Sequence, residues 1–406
     1  MTAWVTEWAP LQEELDACVA CGLCLPYCPT LRLTGDEAAS PRGRLAAMSA
    51  IHSGRVDMDG RFEEVMGFCL QCRACEAVCP SLVPFGRAME GARAELTAQR
   101  PSTLRISRRL LVGRLIRLRW LIRTGSFLLA LAQRLRVGGL LPGVRRLFGG
   151  LRRIALPVPT TIGGEWNPQG EPVGTAALLA GCVMDPWFGD VHTAVVAVLR
   201  SAGYRVEVPR QQTCCGALAA HEGAAYDAKA MAAQNVAAFA GYALVVVDSA
   251  GCGAHLKEYA HWNEDGASLA GRVVDITEIV ALLLDEGLLP EMAEGSRGVV
   301  AVQDPCHLRH AQRIEAEPRR VLRAAGYLPV EIDPAGLCCG AAGAYSLSHP
   351  ETSEELGRQK AAQVVASGAA IVASANPGCD MQLRSHLGQS VRIAHPIELY
   401  AEAMSG

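Results

Sequence analysis

Two cysteine runs constrain this chain more than any other feature: Cys18-x2-Cys21-x2-Cys24-x3-Cys28-Pro29, written again as Cys69-x2-Cys72-x2-Cys75-x3-Cys79-Pro80. Three thiolates at this rhythm wrap one face of an Fe4S4 cube, while the fourth points away and completes a second cube. The spacing therefore assigns Cys18, Cys21, Cys24 and Cys79 to one [4Fe-4S] cluster, and Cys28, Cys69, Cys72 and Cys75 to the other. Structural zinc, which a bare C-x2-C allows, has no use for a third and fourth cysteine in this pattern. Gly22 permits close backbone approach to a cluster, and Pro29 and Pro80 stop the local helix. Two clusters so near in sequence make an electron relay.

The remaining eight cysteines all follow Gly181. Cys182 precedes Cys214-Cys215-Gly216 by 31 intervening residues, and Cys306 precedes Cys338-Cys339-Gly340 by the same 31. One more cysteine follows each pair, Cys252 after 36 residues and Cys379 after 39. VLRSAGY at 198–204 also matches VLRAAGY at 321–327, so a domain is duplicated. Adjacent cysteines do not present the geometry of a disulfide. They predict two four-thiol metal sites: Cys182, Cys214, Cys215 and Cys252, then Cys306, Cys338, Cys339 and Cys379. The following glycine supplies the turn such a pair needs.

The fold class read from these signals is α+β and multidomain. Residues 1–95, with helical stretches at 42–48 and 62–66, predict a small helical ferredoxin-type domain whose core is largely its metal sites. From about residue 175, apolar runs at 176–180, 204–208 and 243–247 alternate with helical periods at 191–202 and 224–239, and the alternation restarts at Val299. This predicts two α/β repeats with parallel sheets, 171–290 and 291–406, joined by a linker helix at 276–288, with ligands beyond the carboxyl ends of the strands.

Between these lies a bridge, 96–170. Its part from 96 to 164 carries 14 arginines and no lysine, histidine or acidic residue, whereas the rest of the chain has 24 basic and 41 acidic side chains, a net of −17. Residues 104–153 alternate arginine with leucine, isoleucine and tryptophan at near-helical spacing. An interfacial helix on anionic lipid and a helix pair packed on a partner protein both fit; no uncharged run reaches a membrane span, and no nucleic-acid recognition fold accompanies the charge. The start, Met1-Thr2-Ala3-Trp4-Val5, lacks a secretory pattern, which leads to the expectation of a reducing cytoplasm, with peripheral contact at the inner face of the membrane.

CVACGLCLPYCPT, CLQCRACEAVCPS, GCGAHLKEYA, DPCHLRHAQ, LCCGAAGAYSLSHP and SANPGC together resemble the cysteine-rich CCG family, which heterodisulfide reductase and several respiratory iron–sulfur subunits share. Within it the chain is most similar to iron–sulfur subunits of glycolate oxidase. The resemblance implies a non-flavin subunit that relays electrons from a flavoprotein, where FAD oxidises glycolate to glyoxylate, towards a quinone-type acceptor. It assigns no catalytic residue to this chain, and no GxGxxG fingerprint follows a strand. Iron–sulfur subunits of lactate or glycerol-3-phosphate dehydrogenases, and a CCG thiol redox enzyme, are the alternatives.

One departure from the family pattern bears on the cofactor. The fuller pattern ends in CxxC, but His255 and Gln382 stand where the fifth thiolates belong. A further iron–sulfur cluster, a zinc ion and an empty thiol site all remain open for each CCG site. His255 reads as a ligand or as a nearby donor, and His307 and His310 as proton or quinone groups or as ordinary structural histidines.

Overall fold

The computed structural model describes residues 4–135 and 150–406; the part of the bridge expectation that falls on 136–149 lies outside the described residues. The amino-terminal part is helical: Pro41–His52, Gly60–Gly67 and Phe85–Gln99 enclose Met48, Ile51, Phe62, Met66 and Met89 together with several of the cysteines. Local chemistry sets the starts. Ser40 accepts from the Gly43 amide at 3.0 Å ahead of Pro41, and Asp59 accepts from Phe62 at 2.9 Å, each satisfying an amide that the first turn leaves unpaired.

Two sheets follow. In the first, β1 (Glu165–Trp166), β2 (Gly174–Leu178), β3 (Tyr204–Glu207), β4 (Leu244–Val247) and β5 (Val273–Asp275) lie in the order β1-β3-β2-β4-β5, parallel except for β1. In the second, β6 (Val299–Val302), β7 (Leu328–Glu331), β8 (Ile371–Ala373) and β9 (Arg392–Ala394) lie in the order β7-β6-β8-β9, all parallel. The order β3-β2-β4-β5 is that of β7-β6-β8-β9, so the duplicated spacing corresponds to a duplicated topology.

The repeats do not sit as beads on a string. Helix Gly189–Ser201 of the first packs on Pro396–Ser405 of the second, and Ile276–Asp285 packs on Ala316–Ala324, a reciprocal exchange. Val195, Leu199, Val280, Leu283, Val321, Leu322 and Tyr400 are buried in one core that spans both. A linker helix was expected at 276–288; Ile276–Asp285 is helical and runs between the two sheets in sequence, and it is also a packed element, with Ile276, Ile279, Val280 and Leu283 buried. Its apolar stripe requires a partner surface, which a free linker lacks.

The described bridge contains helix Thr103–Arg109, a π turn at Leu110–Arg114, a short 3-10 turn and helix Arg119–Arg134. The last helix buries its small face, Ser126 and Ala130, against Trp187, Ile154 and Val158. Its large residues Trp120, Phe127, Leu128, Leu131 and Leu135 face outward, Trp120 with 63% of its surface exposed. Small residues permit the close approach to the body, which leaves the apolar stripe without a protein partner among the described residues. No helix among the described residues is long and apolar enough to cross a membrane.

Candidate metal centres

All sixteen cysteines are unbridged. Cys18, Cys21, Cys24 and Cys79 surround one cavity, and Cys28, Cys69, Cys72 and Cys75 surround a second; Cys75 also borders the first. Both loops are wound alike. Ala20 and Gln71, each two residues after the first cysteine of its run, have φ of 54° and 52°, and Gly22 and Arg73, each just after the second cysteine, have φ of 82° and 60°. Left-handed backbone at alanine, glutamine and arginine costs on the order of 1–2 kcal/mol each, so a wrap around a bound group explains its retention at the same positions twice. The Gln71 amide also approaches Cys69 Sγ at 3.3 Å, as donors to cluster thiolates do.

Arg44 lies beside the second cavity and is 1% exposed. It donates to the carbonyls of Val65, at 3.0 Å, and Ala39, and to Thr30 Oγ1 at 3.2 Å, but among the described residues to no carboxylate. A buried cation without a counter-ion is costly unless an anion stands nearby. Thiolate-held iron–sulfur centres supply that anion, so the donor set and its surroundings fit the group.

The eight later cysteines lie past the carboxyl ends of neighbouring strands. Cys182 follows β2, Cys214-Cys215 follows β3 and Cys252 follows β4; Cys306, Cys338-Cys339 and Cys379 follow β6, β7 and β8. In the first site Cys214 Sγ is 3.4 Å from Cys182 Sγ, and in the second Cys339 Sγ is 3.2 Å from Cys379 Sγ. Hydrogen bonds from Cys182 and Cys215 hold the Cys214 thiol well below its ordinary value, and those from Cys338 and Cys379 do the same at Cys339. Gly216 and Gly340 have φ of 97° and 88°; a Cβ at Gly216 would come within 3.2 Å of His255 Nε2, and one at Gly340 within 2.7 Å of the Ser353 carbonyl. Each glycine is thus required by both its dihedral angle and its neighbours. Among the described residues no three cysteine, histidine or acidic side chains converge as a site for a single metal ion.

The histidines separate. His255 is buried between Tyr259 and Trp262 with Nε2 unpartnered, and burial lowers its pKa to about 4, leaving a neutral ring beside Gly216. Gln382, its counterpart, is occupied by the Ser353 carbonyl at 2.7 Å. His307 Nδ1 lies 3.7 Å from Cys306 Sγ, and its ring stacks on His221 at 5.4 Å. Burial opposes protonation of His307, but the charge at Cys306 outweighs it and raises the pKa. His310 bonds the Gly336 carbonyl at 2.8 Å, a structural tie.

Three features were not read from the sequence. His192 and Asp248, both fully buried, bond at 2.6 Å, and His192 Nε2 reaches the Ala180 carbonyl at 3.1 Å, joining the strand ends that carry Cys182 and Cys252. Asn376 accepts from the Gly251 amide at 3.2 Å and donates towards Cys379 Sγ at 3.6 Å, spanning the two CCG sites. The second CCG site also abuts the ferredoxin-type loops: Cys72, Cys338, Leu70 and Tyr345 share a buried cluster, with Cys306 against it. The only sequence signal for His192 was its place on the apolar face of an amphipathic stretch; nothing local marks the other two.

Paired cysteine loops that fit iron–sulfur groups, packed against one of two cysteine sites at parallel strand ends, mark an iron–sulfur protein of the oxidoreductase class. Residues 14–83 match the 4Fe-4S dicluster domain, and residues 176–257 and 300–384 each match the CCG cysteine-rich domain. The chain is 33% identical to the probable glycolate oxidase iron–sulfur subunit of Bacillus subtilis, across 97% of this chain and 94% of that protein. It is 30% identical to the glycolate oxidase iron–sulfur subunit of Escherichia coli, across 96% and 94%. Lactate utilization protein A of Oceanobacillus iheyensis is 29% identical across 55% of this chain and 95% of its own length. The chain belongs to the family of glycolate oxidase iron–sulfur subunits.

Proposed function

We propose that the chain is the electron-relay subunit of a glycolate-oxidising complex. A flavoprotein partner oxidises glycolate to glyoxylate, and this chain takes up the electrons and passes them to a quinone-type acceptor. Cys18, Cys21, Cys24 and Cys79 hold one [4Fe-4S] cluster, and Cys28, Cys69, Cys72 and Cys75 hold the other; such clusters supply one-electron carriers. The observation that carries the reading is the packing of Cys306 and Cys338 against Cys72, which supports a path from the ferredoxin-type loops into the second CCG repeat. Asn376 extends that path to the first CCG site.

The chain's own residues insulate and orient this path. Leu70, Tyr345 and Leu356 keep water from the junction, and Arg93 ties the Cys69 carbonyl, at 2.6 Å, to the His221 carbonyl, also at 2.6 Å, so loop and first repeat move as a unit. The outward apolar stripe of Arg119–Arg134, on a segment with no acidic residue, seats the complex on an anionic lipid surface, where a quinone is within reach.

Iron, zinc and sulfide analysis of the anaerobically purified chain tests the reading, together with mixing with the flavoprotein. About eight irons are expected from the ferredoxin-type pair, more if the CCG sites are loaded, and glycolate should bleach the visible absorption only when the flavoprotein is present. Zinc in place of iron, or glycolate oxidation by the chain alone, would overturn it. The match to lactate utilization protein A supports lactate as the second substrate to assay.

A further inference from the structure

A cavity lies between the bridge and the first CCG site, on the side of helix Arg119–Arg134 away from its apolar stripe. Arg117, Arg119 and Arg123 line it above Cys182 and Cys214, whose sulfurs are 3.4 Å apart. Neutral oxygens orient all three guanidiniums. Arg117 donates to Gln234 Oε1 at 3.2 Å, Arg123 to the Val158 carbonyl at 3.3 Å, and Arg119 to the Arg210 carbonyl at 2.7 Å and to the Gln212 carbonyl.

Bonds of this kind set direction without neutralising charge, and each guanidinium has about five N–H donors, most of them without a partner among the described residues. Among the described residues none of the three forms an ion pair. The one carboxylate in the wall, Asp185, accepts from Thr160 Oγ1 at 2.7 Å and from the Thr161 amide at 2.7 Å and hydroxyl at 3.0 Å. The second CCG site has no such excess. There Arg309 and Arg319 both pair with Asp304, at 3.0 and 2.8 Å, and Lys360 pairs with Asp333.

Asp185 and a Cys214 thiolate balance only part of the charge of the three guanidiniums that face this cavity, and a planar oxyanion takes up the remainder through bidentate bonds. We propose that this cavity binds a small carboxylate or phosphate anion at the mouth of the first CCG site. The two CCG sites are then inequivalent: the second is sealed against the ferredoxin-type loops, and the first opens to a diffusible anion. The site stands or falls independently of the electron relay, since it rests on the arginines and the cavity.

Titration calorimetry on the full anaerobic chain tests it, with oxalate, glycolate and inorganic phosphate as separate probes. Saturable 1:1 binding is expected, weakened about tenfold in Arg117→Gln and in Arg123→Gln, the size of one lost charge-assisted hydrogen bond. Arg117→Lys should recover only part of the loss, because it keeps charge but not the fork, and Arg309→Gln should change nothing. Preference for oxalate or glycolate over phosphate would mark a carboxylate site; equal binding would mark a general oxyanion site. Unaltered thermal melting of the unliganded variants separates loss of the site from loss of the fold. No saturable binding, or binding that Arg117→Gln and Arg123→Gln leave unchanged, would overturn the proposal.

Discussion

Cys72 of the ferredoxin-type loops and Cys306 of the second CCG repeat lie against one buried cluster, although no local sequence signal connects them. Burial first, and then charge at Cys306, pushes the Cys72 thiol well up, so each senses the other's electrostatic state. Cys306→Ser should therefore shift a midpoint potential of the ferredoxin-type pair while leaving its EPR intensity intact. Potentiometric EPR titration reads both; midpoints identical to those of the parent chain would reduce the relationship to packing.

Arg44 lies buried beside the second cysteine cavity, where it would balance the charge of a bound cluster. Arg44→Met should lower the potential of a cluster held there, since removing a nearby cation disfavours the added electron, and should cost about 2 kcal/mol by leaving the Val65 carbonyl without its donor, while Thr30 still serves the Ala39 carbonyl. Redox titration and urea unfolding under anaerobic conditions measure the two effects separately.

The His192–Asp248 pair predicts a pH dependence. Burial opposes charge on His192, but Asp248 outweighs it and raises the pKa in the folded state. A raised folded value means the stabilisation is complete below the unfolded value of about 6.5 and is lost as pH rises through the folded one. His192→Ala should cost about 3 kcal/mol, and Asp248→Asn should flatten the stability profile above about pH 6.5. A profile unchanged by Asp248→Asn would contradict this assignment.

The two CCG glycines should differ in tolerance. Gly216→Ala imposes a left-handed alanine, about 1 kcal/mol, against a histidine ring, whereas Gly340→Ala also drives a Cβ to 2.7 Å from a backbone carbonyl. Thermal melting should rank Gly340→Ala as the more damaging, with iron at the ferredoxin-type pair retained in both.

Sedimentation with phosphatidylglycerol vesicles tests the outward stripe. Trp120→Ser combined with Phe127→Ser should weaken binding by about tenfold or more, from the apolar burial lost, and raised salt should weaken the parent chain as well. Indifference of the flavoprotein complex to such vesicles would instead assign the stripe to a protein partner.

Much of the architecture was legible because its signals are local. Cysteine rhythm is dictated by cluster geometry over a dozen residues, and short β-branched apolar runs such as 244–247 identify strands buried on both faces of a parallel sheet. What stayed illegible depends on encounters between distant segments. Residues 276–288 read as a helix between the repeats, but that its apolar stripe packs on Ala316–Ala324 was not legible. The bridge's amphipathicity was plain, but the face that would meet the protein was not: Ser126 and Ala130 turn inward because small side chains allow the helix to dock closely.

The sequence by itself determined the four groups of cysteines, the duplication and the excess of arginine, since each is a matter of residue type and spacing. Only the tertiary structure decided which groups adjoin. Cys72 meets Cys306, Asn376 spans the two CCG sites, and three arginines stand over Cys182 and Cys214 but not over the second site. Such adjacency follows from how helices and sheets bury their apolar faces against one another, which no local spacing encodes.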